Sequence, residues 1–267
     1  MGRTLSGAPS TSTEMGERFM SDGMGGIEYE GVTTAAGAAR ERARAAAVRL
    51  VARHEGIEGM WIAAPERPLY ALGKRVFDCA LASALLVATA PLWIVVAALV
   101  RLTSPGPVLF RQRRCGRWGK EFTCYKFRTM VDGAELTRKQ LEALNEVDGP
   151  VFKIRNDPRV TPVGRFLRRS SIDELPQLLN VLRGDMSIVG PRPPIPEEVA
   201  RYRPRDHQRL AVTPGLTCLW QIRGRSEIKF DEWVRLDLEY IRRRSLWLDL
   251  AIVVRTIPAV LSGRGAA

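Results

Sequence analysis

A stretch of 22 residues without a single charge, Cys79 to Val100 (CALASALLVATAPLWIVVAALV), constrains this 267-residue chain more than any other feature. Wound as a helix at about 1.5 Å per residue, it is long enough to cross a hydrocarbon core of roughly 30 Å. Two arrangements are compatible with it: a straight transmembrane helix, or a hairpin that enters and leaves on one side. Pro91 sits in the middle, after Thr89 and Ala90, where it removes a backbone hydrogen bond and kinks the helix. Both flanks are basic, with Lys74 and Arg75 before the run and Arg101, Arg111, Arg113 and Arg114 after it. The positive-inside rule therefore asks for both ends on the cytoplasmic side. Proline kinks also occur in spanning helices, so both arrangements stay open on these residues alone.

The rest of the chain divides around this run. Residues 1–35 are rich in Gly, Ser, Thr and Met, with no apolar period and no secretory-signal core, and read as disordered. Residues 36–70 comprise an Ala- and Arg-rich helix, AGAARERARAAAVRLVAR, and a linker marked by Pro65 and Pro68. That helix is either solvated or laid on an anionic membrane face. Residues 71–103 hold the membrane segment and 104–262 a soluble domain. The whole chain carries 41 Lys and Arg against 29 Asp and Glu, a net charge of +12, which calls for an anionic partner. Four scattered cysteines without a C-x-x-C pair, and only two histidines, exclude a disulfide scaffold and a zinc finger and read as reduced, cytosolic thiols. Catalysis would rest on carboxylates and basic groups.

Beyond Ser104-Pro105-Gly106-Pro107, the runs VLFRQRR and EFTCYKFRTM around Gly116–Gly119 predict a β-hairpin. Its cluster of Arg111, Arg113, Arg114, Arg117, Lys120, Lys126 and Arg128 faces a single acid, Glu121. The cluster fits phosphates, or is simply a solvated basic face. Helices are expected near 133–147, 162–169, 172–183, 196–203 and 230–243. The late segment SLWLDLAIVVRTIPAVL, residues 245–261, is apolar with Asp249 and Arg255 interrupting it. It reads either as an amphipathic helix at a membrane interface or as a core helix of the soluble part.

Three places could carry chemistry. In RRSSIDELPQLLNVLRGDMS, residues 168–187, leucines at helical spacing end at Gly184, and Ser171 and Glu174 have capping-box spacing. Asp173 and Glu174 are then either acids placed favourably at a helix N-terminus, or a nucleophile and a Mg²⁺ ligand beside Arg165, Arg168 and Arg169. In FDEWVRLDLEYIRRR, Asp237 falls within an apolar stripe, where a carboxylate is expensive unless paired. It pairs with an arginine inside the fold, or it faces a substrate. GDMSIVGPRPPIP, residues 184–196, is a rigid proline loop with one cation, Arg192, able to clamp phosphate or stack on a base.

Taken together, KRVFD before the apolar run, SPGPVLFRQRRCG, YKFRTM, DPRVTPVGRFLRRSSIDELPQLLNVLRGDMSIVGPRP and TPGLTCLWQIRGR resemble, in order and spacing, the bacterial sugar transferase family. These are the monotopic polyprenyl-phosphate phosphoglycosyl transferases that initiate exopolysaccharide and glycoconjugate assembly. The resemblance covers residues 74–260, about 70% of the chain; nothing transfers to residues 1–70, where larger relatives carry spanning helices. It implies an α+β, mostly helical fold: a re-entrant membrane helix hairpin, broken near Pro91, fused to a small cytosolic catalytic domain with a short β-hairpin and amphipathic interfacial helices. The implied location is the cytoplasmic face of the inner membrane.

The activity implied is transfer of a sugar 1-phosphate, a hexose 1-phosphate by expectation, from a UDP-sugar to polyprenyl (undecaprenyl) phosphate with release of UMP. By this resemblance Asp173 is the nucleophile that forms a sugar-phosphoryl aspartate, and Glu174 ligates Mg²⁺. Lys126 and Arg168 bind phosphate, Arg192 contacts the nucleotide, and Asp237 matches a later family acid grouped with the catalytic residues. Both substrates are anionic and one is a lipid, which accounts for the charge and the anchor without nucleic acid. Aromatic residues at 7% and the lack of a recognition helix also argue against nucleic acid. The competing function is a non-catalytic, membrane-bound basic protein. Within the enzyme class, the competing mechanism is direct attack by the lipid phosphate with no covalent step.

Overall fold

The computed structural model describes residues 67–223 and 228–262. The expectations for residues 1–35 and for the Arg-rich helix lie outside the described residues. The apolar run belongs to one helix, α1 (Pro68–Thr103), with Pro91 inside it. By length and composition it could cross a membrane. Pro91 has no N–H to donate to the preceding turn. Nearby, Thr89 Oγ1 donates to the Leu85 carbonyl at 2.7 Å and accepts from the Trp93 indole at 3.2 Å. The middle of α1 is bare, Val87 being 77% exposed, whereas both of its ends are fastened to the soluble body.

At the N-terminal end the fastening is polar. Arg75 donates to the Val181 and Leu182 carbonyls, and Asp78 accepts the Ile188 N–H at 3.0 Å. Lys74 pairs with Asp249 at 2.9 Å. At the C-terminal end the fastening is apolar: Val96 and Val100 pack with Phe127 and Leu167, and the Trp93 and Phe127 rings meet edge to face at 5.3 Å.

The expected hairpin forms from β1 (Leu109–Cys115) and β2 (Glu121–Phe127), antiparallel, with Phe110 opposite Lys126 and Gln112 opposite Cys124. Two further helices follow, α2 (Pro162–Arg169) and α3 (Gln177–Arg183). A second, parallel pair, β3 (Ser187–Val189) with β4 (Gly215–Thr217), emerges from what reads in sequence as a proline loop. Gly190 and Gly215 lie so close that a Cβ on Gly215 would fall 2.0 Å from the Gly190 nitrogen. Only glycine permits that crossing. Short helices α4 (Pro196–Val199), α5 (Pro204–His207) and α6 (Leu219–Arg223) lead to α7 (Phe230–Arg243) and α8 (Leu246–Leu261). The core lies between α3, β3, α7 and α8, with Leu178, Val181, Val189, Val234, Leu236, Ile241 and Ile252 fully or almost fully buried.

Three helix expectations are corrected. Residues 133–147 are turns around a short 3₁₀ segment, Lys139–Leu144. Asn145 there bonds the Val147 and Val151 carbonyls and the Lys153 N–H, turn chemistry that competes with helix. Residues 172–183 split into a 3₁₀ turn, Ile172–Glu174, and α3. Ser171 is left-handed (φ 57°) and caps nothing, and Pro176 cannot donate a helical bond. The span 196–203 is helical only over Pro196–Val199. Helices 162–169 and 230–243 form as expected.

The core reading of the late segment holds on one face of α8, and the other face is apolar and exposed. Asp249 and Ile252 face inward, fully buried, while Leu246, Trp247, Leu250, Val254, Ile257 and Leu261 form an exposed apolar face with Trp247 at 79%. The interrupting Asp249 is a buried anchor that accepts from Tyr70, Lys74 and Tyr240 at 2.8–2.9 Å.

Candidate active site

The β-hairpin supplies one wall of a cleft of about 1230 Å³. Alternation along the strands puts Gln112 and Arg114 of β1 on the same face as Cys124 and Lys126 of β2, and all four line the cleft. Asp173 and Glu174 of the 3₁₀ turn, Gln177, Arg192 of the proline loop and Arg168 of α2 also line it. Five sequence-predicted site residues therefore meet in one cleft: Lys126, Arg168, Asp173, Glu174 and Arg192.

Lys126 Nζ donates to Glu174 Oε1 at 2.5 Å and stands 4.0 Å from Asp173 Oδ2. The two neighbouring acids differ accordingly. Burial pushes the Asp173 carboxyl up to about 6, with Lys126 opposing and the Glu174 charge adding to the rise. For Glu174 burial acts in the same direction, but Lys126, with Arg114 and Arg192 behind it, overrides it and holds the group below the usual carboxylate range. Asp173 has no side-chain hydrogen-bond partner among the described residues; its bond is to its own backbone. The buried carboxylate that is left unengaged is thus the one whose proton leaves near pH 6.

The cations are held in place by neighbouring side chains and backbone carbonyls. Arg168 Nε donates to Thr129 Oγ1 at 2.9 Å, leaving its two terminal nitrogens as a fork. Burial lowers the Arg168 pKa, and Asp173 is the first charge opposing that. Arg114 is locked by the Pro193 carbonyl at 2.5 Å and by Gln112 Oε1 at 2.6 Å. Arg128 donates to the Ser104 carbonyl at 2.8 Å and to the Pro105 carbonyl. Arg192 pairs with Glu198 at 3.0 Å. Burial would raise the Glu198 pKa, but Arg192 and Arg114 keep it low. Arg114 and Arg128 figure in the sequence reading only as members of the hairpin's basic cluster, and Thr129, Gln177 and Glu198 do not figure among the sequence-predicted site residues. Strand alternation alone aligns Arg114 with Lys126, whereas nothing local marks Thr129 or Gln177.

The structure does not bring Asp237 to this cleft. It lies on α7, 0% exposed, with Oδ2 accepting from Arg209 Nε at 2.7 Å. Arg209 NH1 in turn donates to the Tyr202 hydroxyl at 2.8 Å. Of the two sequence readings, pairing with an arginine inside the fold is the one realised. Asp237 Oδ1 and Arg209 NH2 have no hydrogen-bond partner among the described residues.

Among the described residues, no three carboxylates, cysteines or histidines gather as a metal cage. Mg²⁺ uses one or two carboxylates, with substrate phosphates and waters filling its octahedron. The donor set of Glu174 with Asp173 adjacent fits that use, and Lys126 holds the Glu174 oxygen in the meantime.

Residues 69–263 match the family model described as bacterial sugar transferase. Among known proteins, the exopolysaccharide production protein ExoY of Rhizobium meliloti is 43% identical over 204 residues, 75% of this chain and 90% of ExoY. The UDP-glucose:undecaprenyl-phosphate glucose-1-phosphate transferase of Caulobacter vibrioides is 45% identical over 210 residues, 72% of this chain and 70% of that protein. The galactosyl transferase CpsE of Streptococcus agalactiae is 49% identical over 162 residues, 60% of this chain; the match spans only 36% of CpsE.

Proposed function

The chain belongs to the bacterial sugar transferase family, and from that premise we propose that it moves a hexose 1-phosphate from a UDP-sugar to undecaprenyl phosphate. The reaction proceeds through a phosphosugar–aspartate intermediate, as the first membrane step of exopolysaccharide assembly. One observation carries the mechanism: Asp173 is buried on the cleft wall with no side-chain hydrogen bond among the described residues, 4.0 Å from Lys126 and beside Glu174, which Lys126 neutralises at 2.5 Å. A carboxylate kept free and poorly solvated among cations is an activated nucleophile.

In the first step an Asp173 oxygen forms a bond to the β-phosphorus. The bond from that phosphorus to the bridging oxygen breaks, and the electron pair leaves on UMP. In the second step a phosphate oxygen of undecaprenyl phosphate attacks the same phosphorus. The acyl-phosphate bond breaks, and Asp173 returns as a free carboxylate. Arg168, aimed by Thr129, and Lys126 offset the charge on the phosphoryl oxygens, and Arg192 clamps the nucleotide. Glu174, with Asp173 beside it, would hold Mg²⁺, which supplies Lewis-acid neutralisation of phosphate oxygens.

Attachment to the membrane follows from α1. A straight helix of 36 residues is about 54 Å long, and one crossing the bilayer would carry its ends to opposite faces. Here Lys74, Arg75 and Asp78 at one end and Trp93, Val96 and Val100 at the other all contact the same soluble body. That arrangement supports a helix that dips into one leaflet around Pro91 and returns, keeping the cleft at the cytoplasmic surface. The exposed apolar face of α8 would lie in the same interface.

The direct test is Asp173→Asn in detergent- or nanodisc-held protein. Loss of UMP release from UDP-sugar with retained UDP binding supports the nucleophile. Unimpaired release would overturn it.

A further inference from the structure

Gln177 is a cleft residue whose chemistry the phosphate-transfer reading leaves unused. It is 3% exposed, yet its amide makes no hydrogen bond among the described residues, and neither amide atom is sealed from the cleft. Its neighbours on α3 are fully engaged: Asn180, three residues on, donates to the Thr123 carbonyl and accepts the Tyr125 N–H. An amide that faces the cleft without a protein partner is free to bond a ligand there. Ser171 behaves alike on the other side of Asp173. It lines the cleft, holds a left-handed φ of 57°, and makes no side-chain hydrogen bond. Strain of that kind in a non-glycine residue is typically kept for function.

Resting on the transfer reaction above, we propose that Gln177, assisted by Ser171, binds hydroxyl groups of the sugar moiety of the UDP-sugar. Two arguments select the sugar over the diphosphate. A phosphate oxygen only accepts hydrogen bonds, so it would satisfy the amide nitrogen and leave the amide oxygen facing an anion. A hydroxyl both donates and accepts, and so completes both atoms. The cleft, moreover, already has Lys126, Arg114, Arg168 and Arg192 for anionic groups. Position agrees: Gln177 lines the same cleft as Asp173, four residues further along the chain.

The test uses the full chain in nanodiscs with Gln177→Met, which keeps the volume and removes both polar atoms, and Gln177→Glu as a second variant. Equilibrium binding is measured for UDP, UDP-glucose, UDP-galactose and UDP-N-acetylglucosamine, alongside UMP release. The expected result is unchanged affinity for UDP and a loss of about tenfold for the preferred UDP-sugar. Because Gln177 has no protein partner, Gln177→Met should unfold no earlier than the parent protein. Equal losses for UDP and UDP-sugar, or no loss for either, would overturn the assignment, as would rejection of all four ligands by the parent protein. Sugar binding through Gln177 without any UMP release would instead sink the transfer reaction and leave this contact standing.

Discussion

The Lys126 ammonium lies 2.5 Å from the Glu174 carboxylate, and this contact divides two adjacent acids into unlike roles. It holds Glu174 ionised while Asp173, 4.0 Å from the same nitrogen, is stabilised only weakly against the cost of burial.

Replacing the shared cation should therefore disturb both acids. In Lys126→Met the Asp173 proton, which Lys126 now helps to remove, would be held to higher pH, and phosphate would lose a cation. The expected outcome is a drop of about 10²-fold in kcat/KM for UMP release. The acidic limb of its pH profile should also move upward, and rate measurements between pH 5 and 9 would check both.

In the proposed mechanism the carboxylate form of Asp173 is the reactive one. UMP release should rise with pH through about 6 and then level off. Stability runs the other way: Asp173 binds its proton more tightly when folded than its ordinary value of 3.8. Folding stability from this group is thus present below pH 4 and lost as pH rises through about 6. Asp173→Asn, which carries no charge, should melt about 2–4 °C above the parent at pH 7.5. The difference should shrink toward pH 4 in a thermal scan.

Asp237 acts through Arg209 and the fold. Removing it in Asp237→Ala strands a fully buried guanidinium, and about 3–5 kcal/mol of stability should be lost. A double replacement, Arg209→Met with Asp237→Leu, should cost less than the single one, since it removes both charges. Denaturant titration of the three proteins checks the order. The folded double variant should still release UMP.

Asp249 joins α8 to α1 by accepting from Lys74, Tyr70 and Tyr240. In Asp249→Ala one cation and two hydroxyls lose their partner, at about 3 kcal/mol or more. Limited proteolysis should then cut near residue 245 faster than in the parent, while the β-hairpin stays protected.

The parts of this architecture that could be read from the residues are those fixed by short-range rules. The charge-free run gave α1, strand alternation gave the β1–β2 hairpin, and periodicity gave α2 and α7. Asp173, Glu174, Lys126, Arg168 and Arg192 were found through motifs whose order is preserved, and they meet in one cleft. What could not be read depends on distant partners. Ser171 has capping-box spacing, yet the chain turns left-handed there and Lys126, 48 residues away, takes Glu174. The apolar stripe around Asp237 signals an unusual acid but cannot name Arg209 as its partner. The β3–β4 pair rests on the close approach of Gly190 and Gly215, which no local pattern announces. Asp249 looks like an interruption of an apolar face, and only the fold reveals it as the point where three donors converge.

The central claim is that Asp173 carries the phosphosugar. Mass spectrometry of nanodisc-held protein, mixed with UDP-sugars and Mg²⁺ but no lipid acceptor, tests it most directly. The account predicts a hexose-phosphate adduct on the peptide containing Asp173, formed with UMP and removed on adding undecaprenyl phosphate. Product formed on adding the lipid, with no adduct ever detectable before it, would contradict the covalent step.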